Sequence, residues 1–405
     1  MRRVVKVSRI RIIITIIVVV LTTLLTGCTG KEPNEIAYVV ALGIDSTDDD
    51  NYKITIQYAN TTQISGGASE SGGKAGSEIV DNVTIEAPNI YAGVGLANNI
   101  VSKSFSMSHA KLIVFSKEVA EKGVKDMIET LVRSEEIRPD VFIAVANTTA
   151  NDYLTSVNPE MEVNPAQYYQ LIYQKNQLVG IPDGQLREFF TGLYTDNYDS
   201  ILPIAGVIEE SGGNSQNDDK GQSKDGQNEG SDGSSESLDS FESKNSDEKD
   251  ENEKEKDAEK NTSKYEYDIK NYVGGETAIE KKNKAEAIGA AVFEKDKMVG
   301  ELGEVETEIC KMLKGDYTYS YLTYYNNDTP DIPITVKTTQ QKKPKYKIDT
   351  DKKTVDIELY IESDLYSLPA DYNVENKIED FERDVANYTS STCTEFINNF
   401  TKKYN

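Results

Sequence analysis

Few side chains in this sequence could do covalent or metal chemistry. The 405 residues hold one histidine, three cysteines and no tryptophan. A single imidazole excludes any zinc site built on two histidines and leaves room for one histidine-based triad at most. His109 stands in Ser104-Phe105-Ser106-Met107-Ser108-His109-Ala110, just ahead of the apolar stretch Lys111–Phe115. A hydrolase would pair it with a serine and a distant carboxylate. No Gly-x-Ser-x-Gly elbow occurs, and neighbours along a chain make poor nucleophile–base pairs, so a hydrogen-bonded structural histidine is favoured over catalysis. Cys310 and Cys393 fall on the flanks of two amphipathic patterns. Buried free thiols are the commoner state for such residues, and a disulfide would need Cα atoms within about 7 Å. Gly93 and Gly95 lack the Lys-[Ser/Thr] that completes a phosphate loop, which leaves close helix packing. Tyr317, Tyr319, Tyr321, Tyr324 and Tyr325 crowd one segment. Strands favour tyrosine, so packing is weighed above ligand stacking. No catalytic residue, metal ligand or cofactor site is assigned.

Cys28 has the most specific setting. The chain begins with Arg2, Arg3, Lys6, Arg9 and Arg11 and no acid, then runs through uncharged, mostly apolar residues 12–25 to Leu25-Thr26-Gly27-Cys28. A basic start, a short apolar stretch and small residues before a cut make a secretory signal. The cysteine after the cut matches the bacterial lipobox, Leu-[Ala/Ser/Thr]-[Gly/Ala]-Cys. This resembles a lipoprotein signal, cleaved between Gly27 and Cys28, with Cys28 Sγ carrying a diacylglycerol through a stable thioether. Two acyl chains anchor firmly where one is marginal. The alternative is an uncleaved anchor helix extended through Gly27, for which the run falls short of the roughly 20 residues that a bilayer requires.

The elements that would hold these residues are separated by a strong charge anomaly. Of 69 acidic and 44 basic residues, net −25, eighteen acids and seven bases lie between Glu209 and Lys260. That segment is mostly Ser, Gly, Asn, Asp, Glu and Lys, and cannot bury enough apolar surface to offset chain entropy, so it is expected to be disordered. The Gly/Ser-rich loop 66–77 reads the same way. The acidity also argues against nucleic-acid binding, which needs clustered Lys and Arg. Before the insert, Ile36–Ile44 and Asp140–Ala146 are continuous apolar runs that read as buried strands. Tyr52–Ala59 alternates and should form a hairpin with the first. Val83–Ala87 and Lys111–Phe115 read as strands, and Lys117–Arg133 as one amphipathic helix. A helix beginning near Pro88 carries Ile90, Val94, Ala97 and Val101, and shorter helices span Thr149–Ser156, Pro165–Asn176 and Gln185–Leu193. Ile201–Ile208 is a further strand. After the insert come a hairpin, Glu286–Glu294 with Met298–Gly300, a helix through Val305, Ile309 and Met312, and strands at Thr318–Tyr325, Ile332–Thr338 and Val355–Ile361. A long amphipathic helix starts near Asn373. The pattern is α+β: two to three small domains, each a mixed sheet flanked by helices, with a long C-terminal helix and the acidic insert.

Taken in order, Leu42-Gly43-Ile44-Asp45, Ser104-Phe105-Ser106, His109 to Phe115, Arg138-Pro139-Asp140-Val141, and Ala287 to Phe293 with Lys297-Met298-Val299-Gly300 resemble the Ger(x)C spore germination lipoproteins. The resemblance implies the C subunit of a nutrient germinant receptor, lipidated at Cys28 and held at the outer face of the spore inner membrane. It implies a non-enzymatic scaffolding role beside a large membrane subunit and a permease-like subunit, with no cofactor. It divides the chain into a leader (1–27), an N-terminal domain (28–200), a second domain (201–330) with insert 209–263, and a third (331–405), which lacks the family's further tryptophan-bearing strands. A stand-alone solute-binding lipoprotein is the alternative, and would need a ligand cleft.

Overall fold

The computed structural model describes residues 11–20, 35–59, 80–158, 162, 164–174, 180–208, 271–277, 283–324, 333–368 and 377–404. Gly27, Cys28, the loop 66–77, the acidic insert and Tyr325 lie outside the described residues.

The continuous apolar runs become strands covered on both faces. A mixed sheet of nine strands contains β1 (Ile36–Ser46), β2 (Tyr52–Ala59), β3 (Val80–Ala87), β4 (Ser104–Ser106), β5 (Leu112–Ser116), β6 (Phe142–Ala146), β7 (Ile201–Val207), β8 (Ala285–Glu294) and β9 (Lys297–Leu302). The spatial order is β3-β2-β1-β5-β6-β7-β8-β9, with β4 pairing beside the start of β1. The central strands β1, β5, β6 and β7 are parallel, and antiparallel hairpins flank them. Parallel strands need crossovers that place helices on both faces, which explains their unbroken hydrophobicity. One face carries α1 (Ile90–Ala97), α2 (Lys117–Lys122), α3 (Lys125–Val132) and, further along the chain, α6 (Leu186–Leu193), around Leu42, Ile113, Phe115 and Ile143. The other carries α4 (Ala150–Ser156) and α5 (Pro165–Gln174), around Val40, Ala41, Val114 and Ala144. Val40 and Ala41 share that face because the β1–β2 register shifts between Val39 and Ala41, as a bulge does.

The expected single helix 117–133 is two. Gly123 ends α2 at φ +118°, and Val124 donates its N–H to Asp296 O in the β8–β9 turn at 3.0 Å. A Cβ on Gly123 would meet Asp296 Oδ2 at 2.7 Å. The turn therefore docks where the helix breaks, and Lys117 pairs with Glu301 of β9 at 2.8 Å. Strands on both sides of residue 200 thus belong to one sheet.

A second sheet, ordered β10 (Tyr319–Tyr324), β11 (Ile334–Asp349), β12 (Thr354–Ser367), is antiparallel throughout. Its covered face packs Tyr324, Ile334 and Val336 against Phe381, Val385 and Tyr388 of the long helix α8 (Ile378–Tyr404). Helix α7 (Glu304–Lys314) lies between the sheets, with Ile309 and Met312 against Leu359, Ile361 and Cys393. The far end of α8 returns to the large sheet, where Phe396 and Phe400 pack on Ala290, Val292 and Leu302.

Candidate functional site

Residues singled out in the sequence are not gathered into one centre. His109 is exposed. Its Nδ1 lies 3.0 Å from Ser108 Oγ, which lies 2.9 Å from Ser106 Oγ, and the Tyr38 ring stands edge-on at 4.8 Å. Among the described residues no carboxylate bonds the ring, so the triad geometry is absent there. Cys310 and Cys393 are free thiols. Burial pushes both upward, Cys393 to about 11, away from the reactive thiolate range. A Cβ on Gly93 would meet Ile54 Cδ1 at 2.6 Å, which accounts for that glycine, whereas Gly95 faces open space. Of the tyrosines, Tyr324 is buried against Phe381 and Tyr388, while Tyr321 is exposed and edge-on to Tyr366 at 5.2 Å. No cluster of three metal-ligating side chains occurs among the described residues.

Two polar constellations emerge that single motifs did not announce. The first sits at the C-terminal end of β1. Gly43 lets α4 approach, since a Cβ there would lie 3.0 Å from Leu154 Cδ1 and 3.1 Å from Ala150 Cβ. Two residues on, the buried Asp45 carboxylate accepts from Ala150 N at 2.6 Å and Asn151 N at 3.1 Å, and Thr149 Oγ1 accepts from Asp152 N at 2.9 Å. These bonds satisfy orphan N–H groups of the helix start. Burial raises Asp45 above the usual carboxylate range, opposed by those two backbone bonds. Behind α4, Gln57 donates to Leu154 O at 2.9 Å and accepts from Tyr169 at 2.5 Å. Tyr153 bonds Tyr173, and Asn283 donates to Tyr168. This is a satisfied internal network, which holds helices to the sheet.

The second is a cleft of about 330 Å³ at the junction of the two sheets. Pro182–Asp183, α6, the Tyr198–Leu202 stretch and the C-terminal part of α7 line it. Lys311 is buried and donates to Ile181 O at 3.0 Å. Burial lowers it to about 8, opposed by Glu308, Asp316 and Asp183. Lys314 Nζ sits 4.8 Å above the Tyr198 ring. Burial raises Asp183, and raises Glu308 beside the cleft to about 7, opposed by the Ser320 hydroxyl that bonds its carboxylate at 2.8–2.9 Å. The cleft offers both signs of charge and an aromatic face within the usual size range for small-molecule sites. It contains no cysteine, histidine or serine held by a base, so it is equipped to hold a polar group and not to activate a nucleophile. Sequence spacing could not reveal it, because segments more than a hundred residues apart supply its walls.

These features define a class first: a two-sheet α+β protein whose polar groups serve packing, helix capping and one mixed-charge cleft. The comparisons with known proteins narrow it. A family model described as the spore germination protein N-terminal domain matches residues 30–207. Another, described as spore germination B3/GerAC like, C-terminal, matches residues 288–405. The chain belongs to the GerAC family of spore germination proteins. It is 26% identical over 174 residues to spore germination protein KC of Bacillus subtilis (strain 168), covering 40% of this chain and 42% of that one. It is 28% identical over 145 residues to the putative spore germination protein YfkR of the same organism, covering 36% and 37%. The matched region thus spans about two fifths of the length of these curated relatives. A crystal structure of the GerBC protein aligns with 87% of this chain and 80% of that one, at 14% identity and a TM-score of 0.40.

Proposed function

We propose that this protein is a non-enzymatic C subunit of a spore germinant receptor, held by a diacylglyceryl group on Cys28 at the outer face of the spore inner membrane. The observation that carries the reading is the pair of family matches, in order, at residues 30–207 and 288–405. Relatives named as spore germination proteins agree with it. In this reading the folded sheets scaffold a large membrane subunit and a permease-like subunit. Confinement by the anchor raises effective concentration at those partners without any new contact.

Cys28→Ser in the spore-forming host tests the anchor and the role together. The variant should leave the membrane fraction, and spores carrying it should lose their response to at least one nutrient. Membrane retention and unchanged germination on every nutrient tried would refute the reading. The junction cleft supports a second reading, a stand-alone solute-binding lipoprotein. It requires that the purified chain, without partner subunits, melts at a higher temperature in the presence of a small polar solute.

A further inference from the structure

The strand pair β11–β12 is much longer than its neighbour. β10 pairs only with residues 334–339 of β11, so the rest of β11 and its partner run on as a two-stranded arm. The arm is fixed at its base. The Tyr346 hydroxyl donates to Leu313 O, Gln340 Nε2 donates to Met312 O at 2.9 Å, and Pro344 packs against Gly315 at the end of α7. The composition of the arm departs from the rest of the molecule. Residues 342–358 hold six lysines and four acids in a chain of net charge −25.

The arm is also apolar on one face. Cross-strand partners share a face, so the pairs Tyr346–Ile357 and Ile348–Val355 line one side, and Lys345–Glu358 and Lys347–Asp356 the other. Closer to the sheet, Leu359 and Ile361 continue the apolar side and are covered by α7. At the tip the cover ends. Ile348 is 72% exposed, Tyr346 50% and Val355 46%. Lys343, Lys352 and Lys353 are exposed nearby, and Lys342 and Lys347 are exposed on the opposite face. Lys345 and Lys352 pair loosely with Glu358 and Asp349, at 3.8 and 3.4 Å. A small apolar tip with lysines at its turn and on its other face offers the two terms that drive adsorption to an anionic bilayer, buried hydrocarbon and attraction to headgroups. Elsewhere, the helical residues 11–20 also expose apolar side chains, Ile12 to Val18 among them.

We infer that the β11–β12 tip docks on an anionic phospholipid surface, with Ile348 and Val355 entering the headgroup boundary and the lysines meeting lipid phosphates. The arm's excess of lysine over acid complements an anionic headgroup layer. The inference does not depend on lipidation of Cys28.

The absence of tryptophan from the chain supplies the test. Full-length protein carrying Ile348→Trp reports through its only indole. The expected result is an emission shift to shorter wavelength, with quenching by brominated lipid, on vesicles of phosphatidylcholine mixed with phosphatidylglycerol. Both signals should vanish on pure phosphatidylcholine, at high salt, and after adding Lys343→Glu, Lys347→Glu and Lys353→Glu. Leu96→Trp, on the exposed side of α1, should report water throughout, even if the N-terminal segment tethers the chain. Val355→Trp reports the same site should Ile348→Trp fold poorly. No shift on anionic vesicles, an equal shift on neutral ones, or an equal shift from Leu96→Trp would overturn the inference. A shift that arises only when a second protein is added would overturn it in favour of a protein partner.

Discussion

The two sheets bury themselves differently. The large sheet is covered on both faces and its central strands are buried at every position, as β5 (Leu112–Ser116) and β6 (Phe142–Ala146) show. The small sheet is covered on one face and alternates, so that Tyr321 and Tyr366 meet solvent while Tyr324 is sealed under α8. The difference separates two tasks. A doubly covered sheet is a rigid body with few surfaces to offer. A singly covered sheet keeps a face for contact.

Mutations can break or sharpen that contrast. Phe115→Ala, in the doubly covered core, should cost about 3–5 kcal/mol, seen as a lower midpoint in urea unfolding. Asp45→Ala strands the N–H groups of Ala150 and Asn151 and should cost about 1–3 kcal/mol. The same assay checks it, and a loss as large as that of Phe115→Ala would contradict the ranking. Glu308, at the seam between the sheets, gives a pH signature. Its folded value of about 7 lies above the ordinary 4.5, so the folded state holds the proton more tightly. The stabilisation is complete below 4.5 and is lost as pH rises through about 7. Melting temperatures should therefore fall over that window more steeply in the wild type than in Glu308→Gln; parallel profiles would remove the seam from the argument. Within α1, Gly93→Ala should destabilise, because its Cβ would press on Ile54, while Gly95→Ala should gain about 0.5–1 kcal/mol. Ile348→Ser, on the uncovered arm, should change stability by less than about 0.5 kcal/mol.

Much of this architecture was legible where burial is strong. The unbroken runs at β1, β5 and β6 and the amphipathic period of α8 each follow from one physical demand. Other features follow from competing ones. Gly123 reads as a tolerated glycine in a helical pattern until the β8–β9 turn occupies the space beside it. The strand expected at Ile332–Thr338 runs, among the described residues, from Ile334 to Asp349 through Lys342–Lys347, where lysine and Pro344 argue locally against a strand and pairing with β12 overrides them. Helix α1 stops at Ala97, short of Val101, and β4 is too short for any period to show. Cys28 stands out in the sequence as a motif and lies outside the described residues. The junction cleft does not stand out, because Lys311 reads as a solvent-facing residue until tertiary packing buries it.

One consequence follows from how β7 meets β8. Val207 pairs with Ala285, and Ile208 N donates to Lys284 O at 2.8 Å, so the sheet is already closed at the point where the intervening chain departs and returns. The entropy of closing such a span grows only with the logarithm of its length, about 0.6 kcal/mol per doubling. Residues 271–277 of that span are themselves tied to the fold, with Asn147 Nδ2 donating to Gly274 O at 2.8 Å and Gly274 N to Ile288 O at 3.1 Å, so the tolerance to length is expected between residues 209 and 270. That makes the junction a port: sequence can be lengthened, shortened or replaced there, by evolution or with a fluorescent domain, while the residues that hold the fold stay in register.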